Sequence, residues 1–184
     1  MCGGRGTRLN LPCEKPLLLV GGRPMVERVR AALAASHVER IFAVTSPATP
    51  ETARRVELPR IETPGAGYVA DLQYALADDR IAEPVLTVAA DLPALDAPAV
   101  DGVLDAADGS LAVVVPVGVK HALGLSVDTV RRRRGRPVTP AGINVVGDGR
   151  EVLVTREPRL AVNVNRRRDA RLAEWLLAGS LLER

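Results

Sequence analysis

The chain has 184 residues, 47% of them apolar, with 25 Lys and Arg against 22 Asp and Glu for a formal net charge of +3. That length fits one domain, residues 1–184, with one sizeable core. No stretch approaches the roughly 18 unbroken apolar residues of a membrane span, and Met1-Cys2-Gly3-Gly4 lacks the charged and apolar regions of a signal peptide, so the cytoplasm is the expected location.

In chain order, short β-branched runs alternate with helical stretches. Leu17 to Val20 is an apolar run closed by Gly21-Gly22. Pro24 to Ala35 reads as a helix with Met25, Val29, Ala32 and Leu33 on one face. Ile41 to Thr45 reads as a buried strand. Pro50 to Val56 reads as a helix that Thr49 is placed to cap. Arg60 to Thr63 is a second short strand, followed by the turn Thr63-Pro64-Gly65-Ala66-Gly67-Tyr68 and a helix from Val69 to Ala77. Val85 to Ala89 is a strand ending at Ala90-Asp91-Leu92-Pro93. Pro98 to Ala107 is helical and Leu111 to Val117 is a strand. Lys120 to Pro140 fits no period and reads as an excursion near the substrate. Ile143 to Val146 and Val152 to Val154 are strands, and Asp169 to Leu177 is a terminal helix. Continuous apolar strands separated by helices imply an α/β fold in three layers, with a mostly parallel sheet covered on both faces.

Aromatics make up only 2%, so Val, Leu, Ile and Ala must build the core. Two cysteines, Cys2 and Cys13, supply neither a disulfide framework nor a four-ligand zinc site. Arginines cluster at Arg131 to Arg134 with Arg136, and at Arg166 to Arg168 with Arg171. Such clusters fit a solvated surface, or a rim attracting anionic small molecules. With two Tyr, one Phe and one Trp there are few platforms for stacking bases, and no nucleic-acid partner is expected.

The strongest local signal is Gly3-Gly4-Arg5-Gly6-Thr7-Arg8-Leu9, followed by Glu14-Lys15-Pro16-Leu17. Glycines let backbone N–H groups approach a phosphate chain closely. Arg5, Arg8 and Lys15 add charge that offsets a triphosphate and a departing pyrophosphate. No Gly-Lys-Ser/Thr follows, so this is not a Walker A loop. A glycine-rich tail is the alternative reading.

Asp91 ends a buried strand, where α/β sheets hold their ligands. A carboxylate there suits Mg2+, which takes one or two protein carboxylates plus phosphate oxygens. The same Asp, preceding Leu92-Pro93, also suits a helix N-cap. Asp96 is the weaker metal candidate and the better cap, for the helix at Pro98. Asn163-Val164-Asn165 precedes the last helix. On a strand both amides would face one site, whereas capping or turn formation is the alternative. His37 and His121 have no evident carboxylate partner and read as surface residues.

The string GG-x-G-T-R-L followed by EKPL resembles the signature of the nucleotidyltransferase superfamily, which includes sugar-1-phosphate and molybdenum-cofactor nucleotidyltransferases. The resemblance implies a Rossmann-like nucleotidyltransferase fold in which Gly3, Gly4, Gly6 and Thr7 hold the NTP phosphates. It further implies that Arg8 and Lys15 contact the phosphoryl region and that Asp91 binds the metal. In that superfamily a buried strand runs directly into the glycine loop. Here the loop begins at Met1, so the first strand is expected to be missing, as a start codon assigned too late would produce.

Three more segments narrow the resemblance: Gly65 to Leu72, Pro140-Ala141-Gly142-Ile143-Asn144-Val145-Val146, and Asn163-Val164-Asn165 leading into Asp169 to Glu174. Together they look like the archaeal GTP:adenosylcobinamide-phosphate guanylyltransferases, and they add Gly67, Asn144, Asn163 and Asn165 as nucleotide-binding candidates. In that family an N-x-N-T motif precedes the last helix, and Arg166 stands here in place of the Thr. The resemblance implies GMP transfer from GTP to adenosylcobinamide phosphate with Mg2+, and leaves a homodimer open. A molybdopterin or sugar-phosphate nucleotidyltransferase is the related alternative. A nucleotide-binding protein without catalysis is the alternative of another class.

Overall fold

The computed structural model describes residues 1–4 and 13–180. After a 3-10 turn at Lys15–Leu17, a small antiparallel pair forms from β1 (Leu19–Val20) and β2 (Arg23–Pro24), and α1 (Met25–Ala34) follows. The chain continues as β3 (Ala43–Thr45), α2 (Pro50–Arg55), β4 (Arg60–Glu62), α3 (Tyr68–Leu76), β5 (Val85–Val88), α4 (Ala97–Asp105), β6 (Leu111–Pro116) and α5 (Val117–Ala122). It ends with β7 (Arg131–Arg133), β8 (Arg136–Val146), β9 (Glu151–Val154), α6 (Pro158–Ala161) and α7 (Arg167–Trp175).

β3 and β4 pair in parallel. β6 and β9 also pair in parallel, while β8 lies antiparallel between β5 and β6. β5, β6 and β9 therefore point the same way, and β8 with its hairpin partner β7 is the antiparallel insertion in a mostly parallel α/β arrangement. Consecutive strand residues face opposite sides. Ala43 clusters with Val26 of α1, and Val44 clusters with Ile61 and Ala75 of α3. Helices thus cover both faces, giving three layers. The main core joins α1, α4 and α7 to the inward residues Val113, Val115, Ile143 and Val145, all at 4% exposure or less.

The expected strands at Ile41–Thr45, Val85–Ala89 and Leu111–Val117 are present but begin later or end sooner, at Ala43–Thr45, Val85–Val88 and Leu111–Pro116. The larger correction is Lys120 to Pro140. Part of it belongs to α5, and its end forms β7 and the first half of an eleven-residue strand, β8. The arginines hide this strand from a hydropathy reading, because their side chains stand in solvent on both faces of a projecting hairpin. The hairpin closes through Arg134 (φ 46°) and Gly135 (φ 77°), both left-handed, the pattern of a two-residue type I′ turn.

Among the described residues no strand precedes β1. Met1 and Cys2 instead bridge the β3–β4 pair and the separate five-stranded sheet that contains β5: Cys2 N donates to Val44 O at 2.7 Å, while the Met1 amine donates to Val88 O at 2.8 Å and Met1 O accepts from Ala90 N at 3.1 Å. Beneath this bridge lies an apolar cavity of about 120 Å³, bounded by Phe42, Val44, Ile61, Leu86 and Val88. No described helix is long and apolar enough to cross a membrane.

Candidate active site

The ends of β3 and β5, the N-terminal loop and the start of α3 surround a cleft of about 300 Å³, lined by Gly3, Gly4, Lys15, Gly67, Tyr68 and Asp91. Gly3 is needed for a close approach, since a Cβ there would lie 3.1 Å from the Ser46 Cβ, and Ser46 Oγ donates to Gly3 O at 3.0 Å. Gly67 precedes α3 at φ 113°, a conformation that side chains rarely adopt. Asp71, at 6% exposure, fastens the preceding turn by accepting from Gly65 N at 2.9 Å and Ala66 N at 3.2 Å. Gly6, Thr7 and Arg8 lie outside the described residues.

Lys15 and Asp91 meet at the floor. Lys15 Nζ donates to Asp91 Oδ2 at 2.6 Å and to Asn165 Oδ1 at 2.8 Å. The other carboxylate oxygen, Asp91 Oδ1, is buried and has no hydrogen-bond partner among the described residues. The capping alternative for Asp91 falls away, because α4 begins at Ala97 and its cap is Asp96, which accepts from Ala99 N at 3.0 Å. An unpaired buried oxygen is costly, so it marks a place kept for a further partner.

Glu14 has a role that the sequence alone did not assign. Its carboxylate accepts from Glu51 N and Thr52 N, both at 2.7 Å, and from Thr52 Oγ1 at 2.6 Å. It caps α2 from a distant loop, while Thr49, the expected cap, makes no side-chain cap bond. Burial pushes the Glu14 carboxyl upward, but the Thr52 hydroxyl and the two backbone amides outweigh it and hold it below its ordinary range. The Glu-Lys-Pro-Leu segment is thus pinned to α2, which sets Lys15 in place.

Asn163 and Asn165 do not share a target. They lie in an irregular segment between α6 and α7, so strand alternation does not apply. Asn165 Oδ1 reaches Lys15, whereas Asn163 accepts from Lys120 Nζ at 2.7 Å and donates to Ala141 O at 3.0 Å. Asn144 Oδ1 accepts from Val113 N at 3.2 Å, where the β6–β8 register shifts. The Tyr68 hydroxyl lies near Thr87 and Asn144. Burial lifts its phenol above the usual range, with hydrogen bonds from those two side chains opposing and the Asp91 charge reinforcing.

Three more residues matter to which the sequence reading gave no site role. Asp169 is fully buried and accepts from Ser126 N, Ser126 Oγ, Asn165 N and Arg166 N at 2.6–3.0 Å. It holds the Asn165 segment at the head of α7. Lys120 is 3% exposed, and Val164 N donates to Asp91 O at 2.9 Å. His37 is a surface residue, 79% exposed at its side chain, with Asp101 as its partner at 3.5 Å. A burial signal at an ionisable position could have flagged Asp169 and Lys120, but a lone chain offers none.

The family model of the MobA-like NTP transferase domain matches residues 1–176. The chain is 31% identical over 196 aligned residues to the adenosylcobinamide-phosphate guanylyltransferase of Methanocaldococcus jannaschii, covering 96% of this chain and 95% of that protein. Among solved structures it is similar to a hypothetical transferase from Thermus thermophilus, with TM-score 0.68, 21% identity, and coverage of 92% and 96% of the two chains. It is also similar to a nucleotidyl transferase from Methanothermobacter thermautotroptrophicus, with TM-score 0.62, 19% identity, and coverage of 96% and 95%. At those identities the two structures bear on the fold alone.

Proposed function

The chain belongs to the MobA-like NTP transferase domain family, and from that membership we propose that it transfers GMP from GTP to adenosylcobinamide phosphate, yielding adenosylcobinamide-GDP and pyrophosphate in cobalamin assembly. Family membership makes it a nucleotidyltransferase, and the name of its relative supports the donor and acceptor. A cytoplasmic location belongs to the same reading.

The observation that carries the chemistry is the Lys15–Asp91–Asn165 cluster with its unpartnered oxygen. Asp91 Oδ1, Asp91 Oδ2 and Asn165 Oδ1 are hard oxygen donors of the kind Mg2+ takes, and the lone carboxylate leaves room for phosphate ligands. Mg2+ bound at Asp91 and Asn165 would draw negative charge from the triphosphate and orient its α-phosphate.

The chain's own residues do the rest. An oxygen of the acceptor phosphate attacks the α-phosphorus of GTP. The bond from that phosphorus to the oxygen bridging the β-phosphate breaks, and the electron pair leaves with pyrophosphate. The acceptor oxygen is already anionic near neutral pH, so no general base is needed, and neither histidine lines the cleft. Lys15, on leaving Asp91, would offset the charge that builds on the departing pyrophosphate, and the Gly3-Gly4 backbone would approach the phosphate chain. Such transfer rests on positioning and electrostatic stabilisation.

The test is pyrophosphate release by purified protein with GTP, Mg2+ and adenosylcobinamide phosphate. Release only with a sugar phosphate or molybdopterin would reassign the acceptor. GTP binding without release from any acceptor would make this a nucleotide-binding protein.

A further inference from the structure

Lys120 is the most buried ionisable group that the reaction above does not use. It sits on α5 at 3% exposure, and among the described residues no carboxylate is in ion-pair contact with it. Among the described residues its side-chain partner is the neutral amide oxygen of Asn163, at 2.7 Å. Burial pulls its ammonium below the ordinary lysine range, and the more distant charges of Asp91, Asp169 and Asp128 oppose that pull. An ammonium is expensive to bury without an anion beside it, and the fold gains little stability from placing one here. A hydrophobic residue would fill the same space at lower cost.

The contacts of Asn163 show where this lysine acts. With its oxygen committed to Lys120, the Asn163 amide can point only its NH2 group at Ala141 O, 3.0 Å away. Gly142 leaves room for that NH2, since a Cβ there would lie 2.8 Å from it. Gly142 O in turn accepts from Ala89 N at 2.7 Å, two residues before Asp91, while the next residue after Asn163 donates its backbone N–H to Asp91 O. Two residues after Asn163 comes Asn165, whose amide shares Lys15 with Asp91.

We infer that Lys120 is a positioning residue of the transfer site: by fixing the orientation of the Asn163 amide it sets the segment that brings Asn165 beside Asp91, and so shapes the oxygen pair that receives the metal–nucleotide complex. The inference rests on the nucleotide reading above but not on the identity of the acceptor.

The experiment compares GTP affinity with and without Mg2+, by calorimetry, alongside thermal melts. Wild-type protein binds GTP more tightly when Mg2+ is present. Lys120→Met loses at least fivefold of that metal-dependent gain and keeps its metal-free affinity within twofold. Lys120→Gln, which retains an N–H donor facing Asn163, keeps more of the gain than the Met variant. The double variant Lys120→Met with Asn163→Leu removes both polar partners, so it recovers thermal stability without recovering the gain. A normal gain in folded Lys120→Met overturns the inference. So does recovery of stability and gain together in the double variant, which would show a purely structural pair. Should Lys120→Met fail to fold, a folded Lys120→Gln with no gain at all overturns it, and a partial gain supports it. Wild-type protein that shows the gain but transfers nothing to adenosylcobinamide phosphate refutes the acceptor assignment and leaves this inference standing. Wild-type protein without any gain refutes both.

Discussion

The Lys15 ammonium lies 2.6 Å from the Asp91 carboxylate, a contact that spans 76 residues of sequence. Each side chain is 17% exposed. A cation therefore already rests where the proposed Mg2+ would bind, and binding of the proposed metal–nucleotide complex would require Lys15 to exchange its carboxylate for phosphate oxygens.

Asp91→Asn keeps the shape and removes the charge. Turnover is expected to fall by orders of magnitude while the circular dichroism spectrum and melting curve stay near wild type. Near-normal turnover at limiting Mg2+ would remove Asp91 from the chemistry. Lys15→Ala is expected to weaken GTP binding roughly 10- to 150-fold, the equivalent of about 1.5–3 kcal/mol for a hydrogen bond to a charged group. Unchanged GTP affinity in that variant would deny Lys15 a phosphate role.

Glu14 makes stability depend on pH. Its carboxyl is held below the ordinary value in the folded state, so its contribution is full above the unfolded value and is lost as pH falls through the folded one. Glu14→Gln is expected to cost about 1–3 kcal/mol at pH 7, read from urea melts. The gap to wild type should begin to narrow as pH falls below the ordinary Glu value of about 4.3 and close once pH passes below the folded value. A gap that persisted unchanged at pH 3 would contradict the capping role.

Gly142 sits at φ 86°, and an added Cβ would meet Asn163 Nδ2 at 2.8 Å and Ala89 Cβ at 3.4 Å. Gly142→Ala is expected to lower stability by about 1–3 kcal/mol through backbone strain, and to reduce turnover further because Asn163 must move. An alanine variant with wild-type melting and kinetics would show that the Asn163 contact can be lost without consequence.

In the exposed hairpin Arg133 stands directly opposite Arg136. Like charges in that relation are destabilising. Arg133→Glu is expected to raise stability by up to about 1 kcal/mol, with the KM for GTP unchanged. A rise in that KM would place the hairpin in the nucleotide site.

What the sequence determined by itself was local. β-branched runs marked β3, β5 and β6, because a strand covered on both faces must be largely apolar, and a shorter one marked β9, whose Glu151 and Val154 stand exposed. That Asp91 lines the candidate cleft was legible because strand ends in such folds face the ligand edge. Asp96 was legible as a cap from its spacing to Pro98. Tertiary structure decided everything that depends on contact between distant segments. It placed Glu14 on the N-terminus of α2, 37 residues away, and Asn165 on Lys15, 150 residues away. It sent Asn163 to Lys120 instead of to the cleft, since an irregular segment has no period to fix side-chain direction. It buried Lys120 and Asp169, whose charge makes them read as surface residues until their partners are known. It also made a long strand of a stretch whose arginines concealed it, because hydrogen bonds to β6 and β7 stabilise an extended chain whatever its exposed side chains are.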